Sequence, residues 1–175
     1  MMKSTKKKIL NYSFDVVLLV ILVLLDQFTK KAAILRLKDK PPFVIWDGVF
    51  ELQYLENRGA AFGTLQNQKI FFIVMTVVLL LILLYVFAKM PAVKKYGWLE
   101  KTLVFMAAGG IGNFIDRLLN GYVVDFFYFK LIDFAIFNVA DIYITLSCIV
   151  FGILILFYYK ENDFAFLKRK KESKD

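Results

Sequence analysis

The sequence predicts an all-α membrane protein with a small β element: four transmembrane helices plus an extracytoplasmic β-cradle between helices 1 and 2. Three observations carry that fold class. The 175-residue chain is 59% apolar and 22% charged, against about half and about a quarter in an ordinary soluble domain. The apolar excess is clustered: Ile70–Ala88 has no charge, and Phe134–Tyr159 has one, Asp141. Crossing the hydrocarbon core takes about 20 apolar residues. Finally, Val49–Leu55 alternates apolar and polar residues, the period of a half-buried strand. The chain reads as one integral membrane domain over residues 1–175.

The elements follow in chain order. Lys3, Lys6, Lys7 and Lys8 precede an apolar run, as in a secretory signal. The run continues to Asp26 and Lys30 without a cleavage pattern, so it reads as an uncleaved first span, about residues 13–35. Residues 38–68 are too long for a turn. With Pro41-Pro42, the Asp47-Gly48 turn and the alternating run, they predict the β-cradle on the outer membrane surface. The second span, about 69–90, ends at Pro91. The third, about 98–119, ends near Asn120-Gly121. The fourth, about 136–159, precedes a basic tail, about 168–175, read as disordered.

Four spans put both termini on one side. The net charge of +8 could mark nucleic-acid binding or the positive-inside bias of membrane loops. Its distribution favours the second. The amino terminus, the segment around Lys89, Lys94, Lys95 and Lys101, and the tail from Lys160 are all basic. They predict both termini in the cytoplasm. Lys31, Arg36, Lys38 and Lys40, between the first two spans, dissent.

Composition also limits the chemistry. There is no histidine, which removes Ser-His-Asp and Cys-His pairs and histidine-based zinc sites. Cys148 is the only cysteine and reads as a small buried packing residue. No metal or cofactor is implied. Chemistry must come from carboxylates, amides, hydroxyls, Lys or Arg.

Charges inside spans cost about 2.5–3.5 kcal/mol each on insertion scales, so the few present mark a site. Asp26 and Lys30 share a helix face at i, i+4, and Asn113, Asp116 and Arg117 share one at i, i+3, i+4. Asp26–Lys30 and Asp116–Arg117 could equally be plain structural pairs. Asp141 is harder to dismiss: it lies in an apolar span beside Asn138, with no basic residue within ten positions. Asp125, after the third span, says less by itself. All of these fall in the outer halves of their spans and can converge. Gly109-Gly110-Ile111-Gly112 is read as close helix packing, since no strand precedes it to make a dinucleotide fingerprint. Two carboxylates sharing one site hold one proton between them, enough to activate water and protonate a leaving amine. A proton-coupled transporter could use the same residues, although Ile149–Phe157 offers no polar path onward. A non-catalytic membrane adaptor would not need the paired acids.

Five segments resemble, in order and spacing, the motifs of bacterial lipoprotein signal peptidase, the signal peptidase II family. They are Asp26-Gln27-Phe28-Thr29-Lys30, Asn57-Arg58-Gly59-Ala60-Ala61-Phe62-Gly63, Gly109 to Arg117, Val123-Val124-Asp125-Phe126 and Phe137-Asn138-Val139-Ala140-Asp141. The resemblance implies an intramembrane aspartyl endopeptidase that removes the signal peptide from diacylglyceryl-modified prolipoproteins, just before the lipid-modified cysteine. It implies Asp125 and Asp141 as the catalytic pair. Asp26, Lys30, Asn57, Gly59, Asn113, Asp116, Arg117 and Asn138 are implied as substrate-binding or support residues. Arg58 departs from the small polar residue common at its place. Asp133 matches no motif and reads as solvated. The implied partners are prolipoproteins and membrane lipids, with no nucleic acid. The implied setting is the bacterial cytoplasmic (inner) membrane, with the chain a monomer and the active site near the outer face.

Overall fold

The computed structural model describes residues 2–59 and 68–167, with side chains from Tyr12 onward. The expected tail, 168–175, and part of the expected cradle, 60–67, lie outside the described residues. Among the described residues, four helices are long and apolar enough to cross a membrane: α1 (Met2–Leu37), α2 (Lys69–Lys89), α3 (Gly97–Leu119) and α4 (Val139–Ile153), the last continued by a π-helical turn, Leu154–Tyr158.

The central helix is α3. Within its most apolar stretch 56% of residues are buried, against 6% in α2, and α1, α2 and α4 all pack on it. Its glycines set the spacing. A Cβ at Gly109 would collide with the Ala140 carbonyl and Ile144 of α4, and one at Gly112 with the Asp26 carboxylate of α1. Removing side chains here lets three helix backbones meet. At one end of the bundle, Tyr96 and Tyr159 stack with ring centroids 5.7 Å apart, and Leu99, Leu103 and Leu154 fill the space around them.

The opposite end carries an antiparallel sheet of order β1-β2-β3. β1 (Phe43–Trp46) and β2 (Phe50–Asn57) form a hairpin. Gly48 in its turn has φ +67°, a left-handed conformation that glycine adopts without a Cβ penalty. β3 (Val123–Tyr128) comes from the chain after α3 and pairs with β2, placing Asp125 opposite Leu55. The cradle is therefore not confined to the segment between the first two spans. Val123–Tyr128 is a short apolar run, which periodicity does not separate from a helix end.

The fourth helix begins at Val139, not near 136. Phe137 instead bridges to Phe127 of β3, its N–H donating to the Phe127 carbonyl at 3.0 Å and its carbonyl accepting from the Phe127 N–H at 2.8 Å. This pairing keeps Ile136 and Phe137 out of the helix. Cys148 is exposed on the bundle's outer face rather than buried. An apolar residue in a span can face lipid as readily as protein, because both are apolar.

Candidate active site

Two local structures bring the carboxylates together. Asp125 sits in β3, two residues before Phe127, which is bridged to Phe137. Asp141 sits in the first turn of α4, directly after that bridge. There the Asn138 side chain accepts the Asp141 N–H at 3.0 Å and the Asp141 carboxylate accepts the Asn138 N–H at 3.1 Å, a complete capping box. Asp141 thus helps to start the helix that holds it.

Three amides organise the pair. Asn138 Nδ2 donates to Asp125 Oδ1 at 2.6 Å and to Asn113 Oδ1 at 3.1 Å. Asn113 Nδ2 donates to Asp141 Oδ1 at 2.8 Å. Asn57 Nδ2 donates to Asp125 Oδ2 at 2.8 Å, and its oxygen accepts Gly59 N–H at 2.9 Å. Each amide's orientation is fixed by what its oxygen accepts. Asn113 also takes a bond from Lys30 Nζ at 2.9 Å. Every carboxylate oxygen of the pair therefore receives a donor from the protein.

A second, fully buried layer stands behind the first. Lys30 Nζ lies 2.9 Å from Asp26 and 3.2 Å from Asp116. Asp26 accepts the backbone N–H of Ala140 at 2.9 Å, one residue before Asp141. Asp116 accepts the backbone N–H of Val124 at 3.0 Å, one residue before Asp125. Lys30 thus ties together two carboxylates, each gripping the backbone beside one member of the pair. Gln27, a member of the first motif to which the sequence assigned no role, donates to Gly112 O and to Asp116, both at 3.1 Å. Asp116 and Arg117 do not pair with each other. Arg117 donates to the Gly59 carbonyl at 3.2 Å and lies over the Phe72 ring at 4.6 Å. Adjacent helical residues point in different directions, so the Arg goes to the cavity and the Asp to Lys30.

Asp125 and Asp141 line one cavity of 610 Å³ with Asn57, Asn113, Arg117 and Phe72. Its remaining wall is largely apolar: Phe129, Phe134 and Phe137 from the sheet side, and Ile142 and Leu146 from α4. Leu146 is exposed on the helix surface, so the cavity reaches the lipid-facing side. Asp125 is 1% exposed. Burial, then the Asp141 charge, push its carboxyl up to about 7, against the opposing pull of the Asn57 and Asn138 donors and Lys30.

The remaining charged groups lie elsewhere. Arg58 turns from the cavity to Glu56 at 3.1 Å and stacks over Tyr122. Asp133 is exposed and accepts the Tyr128 hydroxyl at 2.7 Å. At the far end of the bundle the sequence missed Asp15, which is buried and paired with Lys101.

Fold and site together define a multi-pass membrane enzyme whose polar centre, built on two carboxylates of which Asp125 is buried, opens among membrane helices. The profile of signal peptidase (SPase) II matches residues 18–157, and the chain belongs to that peptidase family. It is 45% identical to the lipoprotein signal peptidase of Caldanaerobacter subterraneus subsp. tengcongensis over 142 residues, 81% of this chain and 95% of that one. It is 44% identical to the lipoprotein signal peptidase of Streptococcus thermophilus strain CNRZ 1066 over 81% of this chain and 90% of that one. It also superposes on a bacterial membrane enzyme solved by the in meso method at 2.3 Å. The TM-score is 0.73 and the identity 30%, over 93% of this chain and 95% of that one.

Proposed function

We propose that the chain is an intramembrane aspartyl endopeptidase that removes the signal peptide from diacylglyceryl-modified prolipoproteins, cutting just before the lipid-modified cysteine. The observation that carries this is the pair Asp125 and Asp141, joined through one asparagine, Asn138, and facing one cavity among the membrane helices. The family's likeness to lipoprotein signal peptidases supplies the substrate class.

Asp125 and Asp141 share one proton. Asp125 carries it, because its carboxyl is pushed up to about 7 by burial and by the neighbouring negative charge. Asp141 acts as the base and takes a proton from water, whose oxygen attacks the scissile carbonyl carbon. Asp125 gives its proton to the carbonyl oxygen, forming a tetrahedral diol. On collapse the C–N bond breaks, the proton held by Asp141 goes to the cysteine nitrogen, and a hydroxyl proton returns to Asp125. One water is consumed and no covalent enzyme intermediate forms. Asn57, Asn113 and Asn138 hold the carboxylates in place. Arg117 steadies the Asn57–Gly59 segment through the Gly59 carbonyl.

The substrate's signal helix enters from the bilayer, its acyl chains staying in the hydrocarbon. Both termini are cytoplasmic and the sheet lies on the outer face of a bacterial inner membrane; the basic start of α1 and the Lys89–Lys101 segment, at the end of the bundle opposite the sheet, support this orientation. The test is cleavage of a diacylglyceryl-modified prolipoprotein by purified Asp125→Asn and Asp141→Asn variants. Each should lose activity by about a thousandfold or more, as expected when a general acid or base is removed along with its electrostatic role. Full cleavage by both variants would reject the proposal.

A further inference from the structure

The basic segment that dissents from the charge rule has a structural counterpart. A groove of 570 Å³, separate from the carboxylate cavity and sharing no residue with it, lies between α1 and the underside of the sheet. Its floor and walls are Phe28, Ala32, Pro41, Pro42, Phe43 and Phe126. Arg36 and Lys40 stand at its rim. Both are exposed, and neither has a carboxylate within 4.0 Å among the described residues. Asp39, beside Lys40 in sequence, lies outside the groove. Lys38, by contrast, is engaged by Glu56 at 3.2 Å.

The vertical spacing is informative. Arg36 is in the last turn of α1, where a cation suits the helix carbonyls. Phe28 lies eight residues deeper, about 12 Å along the axis. The rim cations thus sit at headgroup level while Phe28 and Ala32 sit at acyl-chain level. Arg and Lys side chains at a bilayer surface attract anionic lipid headgroups by charge.

We propose that this groove is a binding site for an anionic phospholipid of the leaflet on the sheet's side. Its phosphate is held by Arg36 and Lys40, and an acyl chain lies along Phe28, Ala32 and Phe126. Strand alternation connects the groove to the carboxylate cavity. Asp125 faces the cavity, and the next residue, Phe126, faces the groove. The lipid therefore supports β3 from behind. The inference does not depend on the peptidase reading, since its readout is lipid retention.

The test uses the full chain in uncharged detergent, mixed with equal amounts of phosphatidylglycerol and phosphatidylcholine of the same acyl chains, and examined by native mass spectrometry. Wild type should retain phosphatidylglycerol on the order of tenfold more than phosphatidylcholine, the scale expected of two interfacial cations. The double variant R36Q/K40Q should lose that preference, whereas K38Q should keep it. Ala32→Trp, which fills the groove and leaves the cations in place, should also lose the lipid. Excess inorganic phosphate should leave the adduct intact, because the chain as well as the phosphate is bound. Equal retention of both lipids by wild type, unchanged retention by R36Q/K40Q, or displacement by phosphate alone would each overturn the proposal.

Discussion

At the scale of the residue, the site is a problem of keeping one proton on one of two acids. Burial and the Asp141 charge favour protonated Asp125, and the Asn57 and Asn138 donors favour its ionised form. The balance lies at about 7, so in the proposed mechanism Asp125 donates near neutrality. The direction of the pH effect follows. An acid that must be protonated is lost as pH rises through its pKa, so kcat/KM for lipopeptide cleavage should fall above about pH 7, approaching tenfold per pH unit. Asn57→Ala removes a donor that favours the ionised form, so its falling limb should move to higher pH. A wild-type profile flat through pH 9, or a limb moved downward by Asn57→Ala, would contradict the assignment of the proton to Asp125. Lys30 works on the same residues from behind. Its ammonium fixes the Asn113 oxygen, and that fixes which end of the amide faces Asp141.

At the scale of the element, the same polar groups are pieces of secondary-structure termini. Asp141 belongs to the capping box of α4, and Asp26 and Asp116 accept backbone N–H groups at the starts of α4 and β3. Those grips work only because α3 comes close to its neighbours, and the glycines of α3 permit the approach unequally. Gly110 has room: a Cβ there would meet Leu80 and Thr76 at 3.7 and 3.8 Å, ordinary contact. Gly110→Ala should therefore stabilise the protein by roughly 0.5–1 kcal/mol through helix propensity. Gly109→Ala and Gly112→Ala should destabilise it by roughly 1–3 kcal/mol, because the new methyl meets the Ala140 carbonyl or the Asp26 carboxylate. Gly112→Ala should also lower cleavage, since displacing Asp26 loosens its hold on the residue before Asp141. Unfolding of the three variants in one detergent ranks them, and a Gly112→Ala variant as stable as Gly110→Ala would sink the close-approach argument.

At the scale of the whole molecule, local pattern and long-range pairing divide what the sequence disclosed. The four spans were legible because hydrophobic runs of membrane length have few other uses. Asp141 was legible because a charge in such a run is costly. Asp125 was not legible from its surroundings. Its place depends on β3 pairing with β2, some seventy residues earlier in the chain, and on the Phe127–Phe137 bridge that follows it; only the motif resemblance singled it out. The adjacency of Asp116 and Arg117 suggested a pair that helix geometry divides between two partners. The distribution of charge makes the final claim about the whole chain. The basic start of α1 and the segment around Lys94 lie at the end of the bundle opposite the sheet, while Arg36 and Lys40 lie at the sheet end. If those clusters orient the spans, Lys40 faces the outside and Lys94 the cytoplasm despite both being lysines in basic surroundings. With Cys148, the only native thiol, replaced by Ser, a single Lys40→Cys should react with a membrane-impermeant maleimide added to intact cells. A single Lys94→Cys should react only after the membrane is opened. The reverse pattern would turn the molecule over and put the carboxylate cavity at the cytoplasmic face, where the proposed substrate, cleaved after export, could not reach it.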